Sequence, residues 1–156
     1  MILEKKIMPN EFLSLAEENL RNGKSVRILA DGASMNPFIK GGKDISEIIP
    51  YPPDKELNLW EAYMFRHNGK YIIHRYIGKK EDKLIMMGDG NIALTEEIGR
   101  EDVIGLLLKI HRPNGKIIEA TGNKWIRKGR FWNKFLPLRR YLLAVYRRLL
   151  KYKIIQ

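Results

Sequence analysis

Leu59-Trp60-Glu61-Ala62-Tyr63-Met64-Phe65-Arg66-His67-Asn68-Gly69-Lys70-Tyr71-Ile72-Ile73-His74-Arg75-Tyr76-Ile77 decides the fold. Two apolar-rich runs, Leu59 to Arg66 and Tyr71 to Ile77, flank Asn68-Gly69. That pair is favoured where a two-residue turn needs positive φ at both positions, so the segment reads as a β-hairpin. Outward from it, Ser25 to Ala30 alternates as a strand, Lys83 to Met87 is a short strand and Val103 to His111 another. Pro113-Asn114-Gly115 makes a second hairpin turn into Lys116 to Ala120. Arg66 to Lys70 and His111 to Lys116 echo one another as similar hairpins, without a repeat architecture. One early helix is predicted over 9–22, opened by Pro9-Asn10, striped by Phe12, Leu13, Leu15, Ala16 and Leu20, and closed by Asn22-Gly23. Short, closely spaced strands with a single early helix predict a mainly β domain.

Hydrophobic content of 44% with 30% charged residues belongs to a folded chain, and 156 residues suffice for one core. The absence of cysteine excludes a disulfide framework, a thiol nucleophile and a Cys-based zinc site. No run approaches the roughly 18 apolar residues of a membrane span, and the N-terminus lacks the apolar core of a secretory signal. A cytoplasmic location, peripheral on a membrane at most, is expected.

The net charge of +11 is not spread evenly. Residues 123–156 contain no acid and hold the whole excess, whereas the preceding part balances to zero. The chain therefore divides into an N-terminal helical segment (1–24), a β domain (25–122) and a basic tail (123–156). From Leu138 the tail becomes helical, with Leu138, Tyr141, Leu142, Val145 and Leu149 on one face. Arg139, Arg140, Arg147, Arg148 and Lys151 lie opposite, Pro137 suits the first turn, and Trp125, Phe131, Trp132 and Phe135 precede it. Such a helix is expected to meet an anionic membrane surface, with docking on the chain's own sheet as the alternative. Nucleic acid is not expected as a partner.

Three polar residues stand at strand edges or turns. Ser34 lies in Asp31-Gly32-Ala33-Ser34-Met35-Asn36-Pro37, His74 in His74-Arg75, and Asp89 in Gly88-Asp89-Gly90-Asn91. A hydroxyl, an imidazole and a carboxylate can form a serine nucleophile, its general base and an orienting acid. Imidazoles titrate near neutrality, which suits such a base. Met35, Pro37 and Phe38 are expected to set the turn and pack beneath it. The scattered histidines show no zinc-helix spacing, and Gly41-Gly42-Lys43 lacks the rest of a phosphate loop. No metal or cofactor is expected.

The order of these segments resembles the superfamily of type I signal peptidases and LexA-like self-cleaving repressors. Ser34-Met35-Asn36-Pro37 matches its Ser-Met-x-Pro nucleophile motif. His74-Arg75 and Gly88-Asp89-Gly90-Asn91 match the His-using branch, which includes the endoplasmic-reticulum and sporulation signal peptidases. Asp102-Val103-Ile104-Gly105 resembles the closing strand, and the likeness covers roughly residues 25–112. It implies a LexA/signal-peptidase-like β-ribbon fold and a serine endopeptidase in which Ser34 and His74 cleave an extended leader or protein segment bound by strand addition.

Asp89 is the expected third member. The resemblance also implies another acid soon after the Gly-Asp-x-Asn box, for which Glu96 and Glu97 are the alternatives. His111 is a reserve base, and His67 is expected to be solvated. Signal peptidases often carry a serine two residues before the nucleophile; Gly32 stands there, so a backbone amide must serve the oxyanion, and Asn36 is a further polar neighbour. A LexA-type regulator is not expected, because about 24 residues before the first strand cannot form a helix-turn-helix domain. The remaining alternative is a catalytically silent adaptor that binds peptides or the membrane surface.

Overall fold

The computed structural model describes residues 2–3, 10–29 and 31–152. In chain order these form β1 (Ile2–Leu3), α1 (Asn10–Arg21), β2 (Val26–Leu29), β3 (Ile45–Pro50), β4 (Ala62–His67), β5 (Lys70–Lys80), β6 (Lys83–Met87), β7 (Glu96–Ile98), β8 (Val103–His111), β9 (Ile117–Glu119), α2 (Gly122–Lys134) and α3 (Arg139–Lys151). The strands make one sheet in the order β1-β2-β3-β8-β4-β5-β6-β7, with β9 added to β8. Every pairing is antiparallel except β1 with β2. The protein is mainly β, with an N-terminal helix and two C-terminal ones.

The expected hairpin forms around Asn68 and Gly69, whose φ values of 49° and 71° are those a primed turn requires. The strands predicted at Lys83–Met87 and Val103–His111 are observed with those bounds. The predicted helix spans Asn10–Arg21, and the strand predicted from Ser25 spans Val26–Leu29; Pro9 and Ala30 lie outside the described residues.

Three strands have no counterpart in the sequence reading. β1 and β7 are too short to show alternation. β3 ends in Pro50 and carries a bulge between Glu47 and Ile48, which disturbs its period.

Apolar side chains cover both faces of the sheet. On one, Ile28, Met64 and Leu107 meet Ala16 and Leu20 of α1 and Trp125 of α2. On the other, Tyr63, Phe65, Met86 and Ile98 pack together. Glu17 ties α1 to β5: it accepts hydrogen bonds from Tyr71 Oη at 2.7 Å and from Arg21 at 2.7 and 2.9 Å. Burial opposes ionisation of Glu17, but these donors and the Arg66 charge hold its carboxyl below the usual range. Burial and the same carboxylate raise the Tyr71 phenol, so Tyr71 stays a donor.

The tail differs from expectation in two respects. Helix begins at Gly122, earlier than predicted, and Pro137 lies in a 3₁₀ turn at Leu136–Leu138 between α2 and α3. The face of α3 that meets the sheet is also not the predicted stripe. Arg139 and Leu143 are buried, with Tyr146 and Leu150 half-buried beside them. Arg139, expected among the solvated cations, is only 2% exposed. Leu138, Tyr141, Leu142 and Val145 instead face outward.

Candidate active site

His74 lies midway along β5, and strand geometry sends it and Arg75 to opposite faces. The register identifies its company. Tyr76 pairs with Met86 and Met86 with Glu96, so Glu96 stands on the same face as Tyr76 and His74. His74 Nδ1 lies 2.7 Å from Glu96 Oε2, and both residues are buried. An ionised carboxylate can only accept, so against one Nδ1 is the donor, and a neutral ring then has its lone pair on Nε2. Nε2 is buried without a hydrogen-bond partner, and the ring edge-packs on Phe65 at 6.1 Å.

Asp89, expected to orient His74, is held by Arg75 instead. The guanidinium donates through Nε to Oδ1 at 2.9 Å and through Nη2 to Oδ2 at 2.7 Å, a bidentate fork with both partners buried. Arg75 also donates to the Trp60 carbonyl and stacks on Trp125 and Phe38, at 4.6 and 5.5 Å from the ring centroids. The physical cause of this pairing is the alternation along β5. Asp89 lies on the Arg75 side of the sheet, where a fixed cation meets it first.

The Ser34 loop leaves β2 and turns tightly, with Asn36 N donating to Ala33 O at 3.1 Å and Ile39 N to Met35 O at 3.0 Å. Met35 is buried and Phe38 is half-buried against Trp125, so both pack as expected. Residues 88–91 lie directly on this loop. Gly90 N donates to Ser34 O at 2.7 Å. A Cβ on Gly88 would sit 2.3 Å from Ser34 O and 2.8 Å from His74 Nε2, so only glycine lets the three segments meet.

Ser34 and His74 line one cavity of about 520 Å³. Its walls include Ile28 and Leu29 of β2 and Tyr71 to His74 of β5. These strands are separated in the sheet by β3, β8 and β4, so the sheet curls to bring them to one cavity. Among the described residues, positions 70–74 of β5 pair with β4 alone, because pairing with β6 begins at Arg75. An open strand edge therefore borders the cavity. Asn91 also lines it, and its Nδ2 is buried and unpaired.

The other predicted groups lie elsewhere. Glu97 is exposed and 3.8 Å from Lys80. His111 Nε2 is 2.6 Å from Glu47, and His67 sits against Asn68; neither lines the cavity. Asn36 is buried but does not line it either. Among the described residues no cluster of three or more His, Asp or Glu side chains could hold a metal.

Sequence reasoning gave Arg75, Asn91 and the tail no part at the site. The tail helices grip residues 88–91 from behind. Trp132 Nε1 donates to Asp89 O at 2.8 Å, and Arg139 Nη1 donates to Asn91 O at 3.0 Å. Burial lowers the Arg139 guanidinium value, partly offset by the nearby Asp89 charge. The available signal was positional: Arg75 and Asn91 belong to the same short motifs as His74 and Asp89. No family model and no curated protein matches this chain.

Proposed function

We propose that the protein is a serine endopeptidase with a LexA/signal-peptidase-like fold, in which Ser34 is the nucleophile, His74 the general base and Glu96 the acid that orients the imidazole. One observation carries this reading. His74 has its Nδ1 on a buried carboxylate and its Nε2 buried and unpartnered, beside the Ser34 turn on a shared cavity.

Ser34 Oγ attacks the scissile carbonyl carbon as His74 Nε2 takes its proton, and Glu96 steadies the resulting imidazolium. The Ser34 N–H is one donor for the developing oxyanion, and the unpaired Asn91 Nδ2 is the second. The imidazolium then returns its proton to the leaving amine, giving an acyl-serine. Water, deprotonated by His74, hydrolyses that ester. The substrate binds as an extended segment along the open edge at residues 70–74, where main-chain bonds give affinity without demanding one sequence.

The test is incubation with a mixture of synthetic peptides, reading new termini by mass spectrometry. Cleavage by the parent chain that disappears in Ser34→Ala and His74→Ala is the expected result. Peptide binding along β5 with no Ser34-dependent cleavage would replace the peptidase with the silent adaptor.

A further inference from the structure

No helix among the described residues is long and apolar enough to cross a membrane, yet α3 shows solvent a surface built for something other than water. At 100° per residue its side chains fall into three stripes about 120° apart. Arg139, Leu143, Tyr146 and Leu150 form the first, which packs against the body. Arg140, Arg147, Arg148 and Lys151 form the second. The third is Tyr141, Leu142 and Val145, exposed at 56%, 42% and 57%, continued by Leu138 of the preceding turn at 54%. Phe131, 62% exposed and edge-packed on Phe135 at 4.9 Å, adds another exposed ring from the end of α2.

A contiguous apolar strip running beside a cationic one implies an occupant. We infer that the outer face of α2 and α3 lies on an anionic lipid membrane, with the apolar stripe in the acyl boundary and the arginine stripe among the headgroups. Charge selects this occupant. Residues 123–156 contain no acid, so a second copy brought to the same face would set cations against cations. A nucleic acid would neutralise the arginines but leave Leu138, Leu142 and Val145 in water. A lipid surface, apolar inside and anionic outside, answers both stripes at once.

The inference does not depend on peptidase activity. It has a consequence for the site, because Trp132 and Arg139, on the sheet side of the same helices, hold the carbonyls of Asp89 and Asn91. A membrane under α3 would fix the orientation of the cavity relative to the lipid.

The experiment is flotation of the full chain with vesicles of phosphatidylcholine alone or mixed equally with phosphatidylglycerol. Binding to the anionic vesicles, lost on raising salt and at least about tenfold weaker on phosphatidylcholine, is expected. Leu142→Glu with Val145→Glu should weaken it by about tenfold or more while leaving the circular dichroism unchanged, since both side chains already face solvent. Arg147→Gln should weaken it about fivefold on anionic vesicles alone. No flotation of the parent, or undiminished flotation of the double variant, would overturn the inference. So would self-association in lipid-free buffer that the double variant abolishes. Using Ser34→Ala as the parent keeps the result separate from any failure of the catalytic reading.

Discussion

The two faces of β5 present two buried polar pairs built on adjacent residues, and they differ in what is left over. Behind the strand, Arg75 spends its donors on Asp89 and Trp60 and lays its planar face on Trp125 and Phe38. In front, His74 uses one nitrogen on Glu96 and keeps the other unpartnered beside the cavity. A satisfied buried charge holds loops in place, whereas a buried base with unused capacity is available for proton transfer. The rear pair acts as scaffold because Asp89 lies within the same short loop whose glycines touch Ser34 and His74.

This contrast can be broken by experiment, beginning with the largest effect. Glu96→Gln nearly preserves shape but removes the charge that fixes the imidazole tautomer. The cleavage rate should fall about 10⁴-fold, with the urea midpoint moving far less than in any variant of the rear pair. A rate within a few-fold of the parent would show that His74 needs no orienting acid. Asp89→Ala is expected to reverse that pattern. It leaves Arg75 buried and unpaired, at a cost of about 3–5 kcal/mol, read as an earlier urea transition. Should Asp89→Ala abolish cleavage while leaving the transition where it was, Asp89 would be the chemical acid after all.

The smallest effect sharpens the comparison with an acid that belongs to neither pair, Glu17. Glu17 has a folded value below its ordinary one, so its stabilising contribution is present above about pH 4.5 and is lost as the pH falls through the folded value. Glu17→Gln should therefore unfold at lower urea than the parent at neutral pH, by about 1 kcal/mol. The two transitions should converge in acid. A gap that persists undiminished at pH 3 would mean that the Glu17 charge contributes nothing.

How far the site was readable follows from where each residue gets its neighbours. Ser34, His74 and the glycine box stand out because small residues and turns are local features, and the turn at Asn68-Gly69 requires only its own two positive φ values. The acid on His74 is not local. Asp89 and Glu96 are both near in sequence, and the choice between them rests on β6–β7 register and the parity of β5, which no single segment encodes. The tail shows the same limit. Its helical period is plain, but two apolar stripes share α3, and the longer one in the sequence is the one left outside.

By itself the sequence determined the mainly β class, the central hairpin, the strands at 83–87 and 103–111 and the concentration of positive charge in the tail. Each depends on periodicity, turn chemistry or composition within a short window. Tertiary structure decided the placement of β3 between β2 and β8, the meeting of β2 and β5 at one cavity, the pairing of Glu96 with His74 and Asp89 with Arg75, and the burial of Arg139. All of these depend on strand order, register and the curl of the sheet. Those are properties of distant segments brought together, and each is chosen by the burial and pairing available once the others are in place.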